Sequence, residues 1–202
     1  MHGNKRSRGI PRSALLAAML VAGCALAQPA SAAAGKKQDD DAAIFKAFSQ
    51  RVDEFVRLHN SVEATLPKLK PTDLPEMITA HQQALARKIR ETRPGARRGD
   101  IFMDDAREAF RRTIHSEFQG PHASNARATI RQGDPVKAVR LRVNQPYPDA
   151  LPYTTVPPTL LLKLPKLPAE VVYRIVDRDL VLLDVKANLV VDWIPEVFPV
   201  QH

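Results

Sequence analysis

Three β-rich runs close to the end of the chain constrain its fold most. They lie at residues 171–176, 180–185 and 189–194 and consist mainly of valine, leucine and isoleucine, which suit the pleated surface of a sheet. Short polar interruptions at residues 177–179 and 186–188 separate the runs. Interruptions of this length fit hairpins, and their aspartate and asparagine residues tolerate the left-handed backbone of tight turns. The pattern predicts a three-stranded antiparallel meander.

Four amphipathic segments precede these runs. Their apolar residues recur at spacings of three and four, which is the period of one helix face, and prolines or glycines end most of the segments. We predict helices at residues 41–64, 75–93, 104–118 and 122–131. Because the helices come first and the strands later, without βαβ alternation, we expect an α+β fold. In this fold an N-terminal helical hairpin or bundle packs on the C-terminal meander.

The helical part is expected to give way to the β part at about residue 134. Residues 137–144 alternate valine and leucine with arginine, which predicts a half-buried strand. Seven of the 17 prolines then lie between Pro146 and Pro168, a density that excludes ordinary helix and central strand. We expect one or two helical turns within residues 158–164 to cover the sheet. Residues 41–133 and 134–202 together are predicted to form one structural domain.

The first 32 residues have the pattern of an export signal. A positively charged start is followed by an apolar run that is too short to anchor the chain across a bilayer. Cleavage after Ala32 is one expectation, and residues 33–40 would then form a flexible linker. The alternative is a lipobox ending at Cys24, which would leave a lipidated cysteine at the new N-terminus and a membrane-anchored protein. Both predict a protein in the periplasm or outside the cell.

Removal of the leader changes the net charge, and a single cysteine cannot form an intramolecular disulfide. The full chain has 30 basic and 22 acidic residues, and four of the basic residues precede Ala33, so the mature part carries 26 minus 22, or +4. A modestly basic exported protein suits an anionic component of the cell envelope or another envelope protein, and export argues against nucleic acid. Because Cys24 is the only cysteine, the mature chain has no intramolecular disulfide. It also has no further apolar run long enough for a transmembrane helix.

Two histidines offer the clearest candidate for a metal site. His59 and His81 lie on the inward stripes of the first two helices, at similar heights in an antiparallel hairpin. Glu63 lies one turn after His59 and is a third potential ligand for a transition metal. The competing interpretation is that each histidine is a core residue, hydrogen-bonded to its neighbours.

Charged residues give two weaker candidates. Asp177 and Asp179 are expected in a turn, and Asp184 and Asp192 alternate with apolar neighbours as on an exposed strand face, although the four carboxylates are also potential ligands for a hard cation. A basic cluster at the end of the second helix complements the helix dipole or binds an anionic partner. Its members are Arg90, Arg93, Arg97 and Arg98.

The sequence lacks the signatures of several enzyme classes. No serine lies in a Gly-x-Ser-x-Gly elbow, the one cysteine is in the leader, and the glycines form neither phosphate-binding pattern. These absences argue against serine or cysteine hydrolases and nucleotide-dependent enzymes. No catalytic residue and no organic cofactor is predicted.

Several separated blocks resemble a family of uncharacterised exported bacterial proteins. The blocks are residues 81–102, residues 136–144 with the Tyr147-Pro148 pair, and residues 156–195. This resemblance implies no activity and no catalytic residue. The terminal meander is also loosely similar to those of small periplasmic proteins, some of them implicated in nickel and cobalt homeostasis, which implies a fold and not a metal site.

Two functions follow from the sequence as hypotheses. The first is a non-catalytic binding or structural component of the cell envelope. The second is a metal-handling protein or metal-dependent enzyme that uses His59, His81 and Glu63.

Overall fold

A computed structural model of the protein describes residues 29–121, 123–131, 140–148 and 151–199. Helices occupy the first part of the chain and an antiparallel sheet the last, which confirms the α+β prediction. The elements in chain order are α1 (Pro29–Glu63), α2 (Pro75–Thr92), α3 (Asp104–Gln119), α4 (Ala123–Arg131), β1 (Thr154–Thr155), α5 (Pro158–Leu161), β2 (Val171–Val176), β3 (Asp179–Asp184) and β4 (Leu189–Ile194).

Helix α1 begins earlier than the sequence pattern predicts. It starts at Pro29, so residues 33–40, predicted as a flexible linker, are helical. Proline is well suited to the first turn of a helix, and no proline lies between Pro29 and Pro67. Alanine, the best helix former, supplies much of the segment after Pro29. Helix α2 begins at Pro75 as predicted and ends at Thr92, two residues before Pro94.

The strands form one sheet in the order β1-β2-β3-β4, with every neighbouring pair antiparallel. The predicted three-stranded meander is therefore confirmed. Asp177 and Asn188 have φ angles of 54° and 45° and turn the two hairpins, as expected for residues that tolerate the left-handed region. The short strand β1 was not predicted because it lies within the proline-rich stretch, where it pairs with the edge of β2.

The predicted strand at residues 137–144 is wrong where it can be compared. Residues 132–139 lie outside the described part, and residues 140–144 form irregular structure and a turn, with Asn144 at φ 60°. Pro146 follows and makes only an isolated bridge to Leu189, since proline has no N–H for a regular ladder. The segment instead covers the outer face of the sheet, where Tyr147 packs with Val181 and Val190.

The other face of the sheet packs on the helices and forms the main core. Phe48 of α1 contacts Phe110 of α3 edge to face at 4.9 Å and stacks on Phe102 at 5.1 Å, and Tyr173 of β2 joins the same aromatic group. Each of these large side chains contributes about 1.5–3 kcal/mol by leaving water. The aromatic group therefore fixes the position of α1 and α3 on the meander.

Helix α2 is attached to the rest of the protein through its second half. Leu85, Ala86 and Ile89 are buried, whereas residues 75–80 are all exposed. The first half of α2 therefore stands away from the body and leaves space between itself, the end of α1 and the β3–β4 turn. No helix in the described ranges is both long enough and apolar enough to cross a membrane.

Candidate binding site

A buried histidine connects the end of α1 to the sheet. The Nδ1 atom of His59 lies 2.6 Å from Oδ2 of Asp184, and neither side chain is exposed. The second carboxylate oxygen of Asp184 accepts the backbone N–H of Ala187, which fixes the start of the β3–β4 turn. One aspartate therefore joins the helix, the last residue of β3 and the following turn.

The second ring nitrogen of His59 faces a surface ion pair. Its Nε2 atom lies 3.4 Å from Oε2 of Glu63 but is not aligned for a hydrogen bond. Both oxygens of Glu63 accept from the Nζ atom of Lys186 at 2.8 Å. Four charged or titratable side chains thus form a continuous row from the protein interior to its surface, in the order Asp184, His59, Glu63 and Lys186.

The charges in this group shift two pKa values. Burial by itself lowers the pKa of His59, but the hydrogen bond and charge of Asp184, with the charge of Glu63, outweigh it and raise the pKa above 6.5. The hydrogen bonds from Lys186 lower the pKa of Glu63. Both shifts favour the ionised forms, so the group is a compact set of alternating charges.

The three predicted metal ligands have separate surroundings. His59 and Glu63 approach each other, but their closest partners are Asp184 and Lys186. His81 is half-buried and lies with Glu63 in the wall of a surface groove. Within the described ranges, no three histidine, cysteine, aspartate or glutamate side chains are grouped to hold a metal ion. A metal site made of His59, His81 and Glu63 would require these side chains to rearrange.

A groove lies beside Glu63 on this surface. It has a volume of about 720 Å³ and lies between the end of α1, the loop that follows, the first half of α2 and the β3–β4 turn. Leu69, Ile78 and Val185 contribute to its walls while 38%, 48% and 51% exposed. Polar groups, including Lys68 and Gln82, are interspersed with these apolar side chains. Pockets that bind small molecules have this size and combine apolar walls with a few polar groups.

Two predicted surface carboxylates are buried, which corrects the expectation of an exposed strand face. Asp184 and Asp192 both have no exposed area, because helices cover one face of the sheet, and Leu141, Tyr147 and Leu151 pack on the other. Asp192 accepts backbone N–H groups of Gly99, Ile101 and Phe102 at 2.9–3.1 Å. Its carboxylate therefore holds the loop before α3 and is occupied by backbone donors.

The other two aspartates of the meander lie at its first turn. Asp177 occupies the turn, as predicted. Asp179 is the first residue of β3 and accepts the backbone N–H of Glu196 at 2.9 Å. Burial raises the pKa of Asp179, against the lowering effect of that hydrogen bond.

The predicted arginine cluster does not form one surface. The Arg93 guanidinium is partly buried over the ring of Phe55 at 5.4 Å and donates to Asn144 at 3.2 Å, and burial lowers its pKa. Arg97 is exposed and lies 3.7 Å from Asp100. Arg98 lies over the Trp193 ring at 5.6 Å. Arg90 is half-buried on α2.

Sequence reasoning identified His59 and Glu63 but missed their partners. Asp184 is 125 residues from His59, so no local spacing links them. The groove was also missed, because it depends on how far the first half of α2 stands from the body. A usable signal was present in Met77 and Ile78, which belong to the apolar pattern of α2 but are 47% and 48% exposed in the structure.

No protein-family model, no curated protein and no solved structure matches this chain.

Proposed function

We propose that this is a non-catalytic binding protein of the cell envelope, which holds a small, mostly apolar ligand in the groove between α1, α2 and the β3–β4 turn. The observation that carries the proposal is the exposure of Leu69, Ile78 and Val185 around a volume of about 720 Å³. Apolar side chains gathered at an open groove are more informative than single exposed ones, because their common cover removes all of them from water.

The charged groups at the groove support binding over chemistry. Glu63 and Lys186 are paired with each other at 2.8 Å, and His59 is enclosed behind Glu63 with its Nδ1 atom on Asp184. This arrangement fixes the end of α1 and the β3–β4 turn, which are two walls of the groove. The ionic group therefore keeps the groove open and in shape.

The proposed location rests on the leader-like residues 1–32. A net charge of +4 after cleavage at Ala32 suits an anionic envelope, and lipidation at Cys24 would anchor the protein to a membrane. Mass spectrometry of the protein isolated from cells tests this part. A free N-terminus at Ala33 or a lipidated Cys24 supports export, and an intact leader in the cytoplasmic fraction contradicts it.

Binding of the neutral apolar fluorophore Nile red tests the groove. Wild-type protein is expected to enhance its fluorescence with a stoichiometry of one. Ile78→Glu and Val185→Glu should each weaken binding about tenfold or more, because a carboxylate in the wall must lose water when the ligand enters.

Leu162→Glu is the matched control, since Leu162 is 87% exposed and lies outside the groove. It should bind the dye as wild type does. Circular dichroism melting should show that the three variants are folded. Absence of dye binding to wild type, or equal losses in all three variants, would overturn the proposal.

A further inference from the structure

A second cavity adjoins the groove. It has a volume of about 250 Å³ and shares Gln82 and Val185 with the groove, so the two spaces meet across these side chains. The outer face of β2 and β3 forms its floor, and Tyr147 and Tyr153 form part of its wall. A ligand that extends beyond the groove over Val185 enters this cavity.

The second cavity is lined by an arginine that pairs with no carboxylate of the described residues. Arg174 of β2 lies over the ring of Tyr153 at 4.9 Å and donates from Nη1 to the carbonyl of Tyr173 at 3.1 Å. Its Nε atom is buried and has no hydrogen-bond partner in the part of the chain that the structure describes. No carboxylate of the described ranges lies within 4.0 Å of its guanidinium. Lys186, a cation of the groove, is by contrast paired with Glu63.

A half-buried guanidinium that pairs with no carboxylate of the described residues gains a charge-assisted hydrogen bond when an anion enters the cavity. The planar guanidinium matches a carboxylate in a bidentate pair better than an ammonium does. The Tyr153 ring supports the guanidinium from one side, which limits the loss of side-chain freedom when the pair forms. Arg174 is therefore a prepared site for an anionic group.

The separation of the two features indicates the shape of the ligand. The N–H of Val185 bonds the carbonyl of Glu170, which places these residues side by side. Arg174 lies four residues further along the chain, which corresponds to about 13 Å in a strand. The ligand thus needs an apolar portion at the groove and an anionic group at about this distance from Val185.

We propose that the groove and the second cavity together bind a single-chain anionic amphiphile, specifically a long-chain carboxylate. Its alkyl chain lies in the groove beside Ile78 and Val185, and its carboxylate pairs with Arg174. This inference rests on the proposed binding function and specifies its ligand class and orientation.

Displacement of Nile red by hexadecanoate and by hexadecanol tests the inference, since a chain of this length spans from Arg174 past Val185 into the groove. Both compounds have the same chain, and both are used below their aggregation concentrations at a pH where the carboxylate is ionised. Wild type is expected to bind hexadecanoate about tenfold more tightly than hexadecanol, which is the effect of one charge-assisted pair at a partly exposed site. Arg174→Gln should abolish this preference and leave hexadecanol binding unchanged.

Two control variants define the orientation. Arg57→Gln removes an exposed positive charge from α1 outside both cavities, and it should retain the preference. Lys68→Gln removes a cation from the opposite side of the groove, and it should also retain the preference. Retained Nile red binding by Arg174→Gln shows that the variant is folded.

The outcomes separate this inference from the proposed function. If Nile red does not bind to wild type, displacement cannot be measured and the proposed function itself is wrong. If both compounds bind equally to wild type, the groove binds apolar chains and the assignment of a carboxylate to Arg174 is wrong. Loss of the preference in Lys68→Gln with its retention in Arg174→Gln would also overturn the inference.

Discussion

Nδ1 of His59 and Oδ2 of Asp184 lie 2.6 Å apart, and both side chains are completely buried. This pair joins the last turns of α1 to the last residue of β3, and the two residues are 125 positions apart in the chain. It is the contact that places one wall of the groove against another.

Asp184→Ala should lower the free energy of unfolding by about 3–5 kcal/mol, because it leaves a buried imidazole and the N–H of Ala187 without their partner. Urea denaturation measures this loss. Asp177→Ala, at the exposed turn of the preceding hairpin, is the control for removing an aspartate from the meander. Its loss of unfolding free energy should be clearly smaller. Equal costs would show that the buried pair has no special role.

The stability contributed by His59 should depend on pH. Asp184 of β3 and Glu63 of α1 favour the imidazolium, while Lys186 and burial oppose it, and the net effect is a raised pKa. The contribution is therefore fully present below the unfolded pKa of 6.5 and is lost as pH rises through the higher folded-state pKa. The difference in unfolding free energy between wild type and His59→Gln, measured from about pH 5 to about pH 9, should decrease with rising pH. A constant difference would contradict the prediction.

Asp192→Ala should destabilise the loop before α3 and cost about 3 kcal/mol, because the N–H groups of Gly99, Ile101 and Phe102 lose a charged acceptor. Hydrogen exchange should show these amides losing protection more than the amides of α1. Asp73→Ala, at an exposed position before α2, should leave exchange in this loop unchanged. Undiminished protection in Asp192→Ala would exclude the proposed role of the carboxylate.

Gly99→Ala should destabilise the protein by about 1–2 kcal/mol. Gly99 has a φ of 93°, a backbone conformation that disfavours any side chain, and a Cβ atom there would also displace the flexible end of the Arg107 side chain. Gly95→Ala is the matched control, since a Cβ atom there meets nothing within 4 Å. The melting temperature of Gly99→Ala should be well below that of Gly95→Ala. The reverse order would contradict the prediction.

Arg93→Ala should lower the unfolding free energy by about 1–2 kcal/mol, through loss of the contact with Phe55 and the hydrogen bond to Asn144. Arg97→Ala removes the same charge from an exposed position and should change stability by less than about 0.5 kcal/mol. Chemical denaturation of the two variants separates a structural arginine from a surface one. Comparable losses of stability in the two variants would contradict the structural role assigned to Arg93.

Much of the secondary structure was predictable because its signals are local. The apolar period of α2 and α3, the proline at the start of α2 and the left-handed turns at Asp177 and Asn188 all lie within a few residues of the structure they specify. The strand expected at 137–144 failed where it can be compared, because the alternation did not reveal the turn at Asn144 and the bridge at Pro146. The early start of α1 was missed because the polar composition of residues 33–40 favoured a linker, although no proline interrupts the chain between Pro29 and Pro67.

The candidate site was predictable only in part. Helical spacing brought His59 and Glu63 together, since residues four apart lie on one face. The same reasoning treated Asp184 and Asp192 as exposed, because alternation along a strand indicates two faces but not whether both are covered. Residues 140–148 and Leu151 cover the second face of this sheet, and that coverage is a property of the whole fold.

The sequence by itself determined the helices, the meander and its turns, because hydrogen bonding and side-chain period act between near neighbours. Only the tertiary structure decided that Asp184 pairs with His59, that Asp192 holds the loop at Gly99, and that the first half of α2 stands free beside Val185. These features join segments far apart in the chain, and their free energy depends on burial, which exists only once helices and sheet have packed.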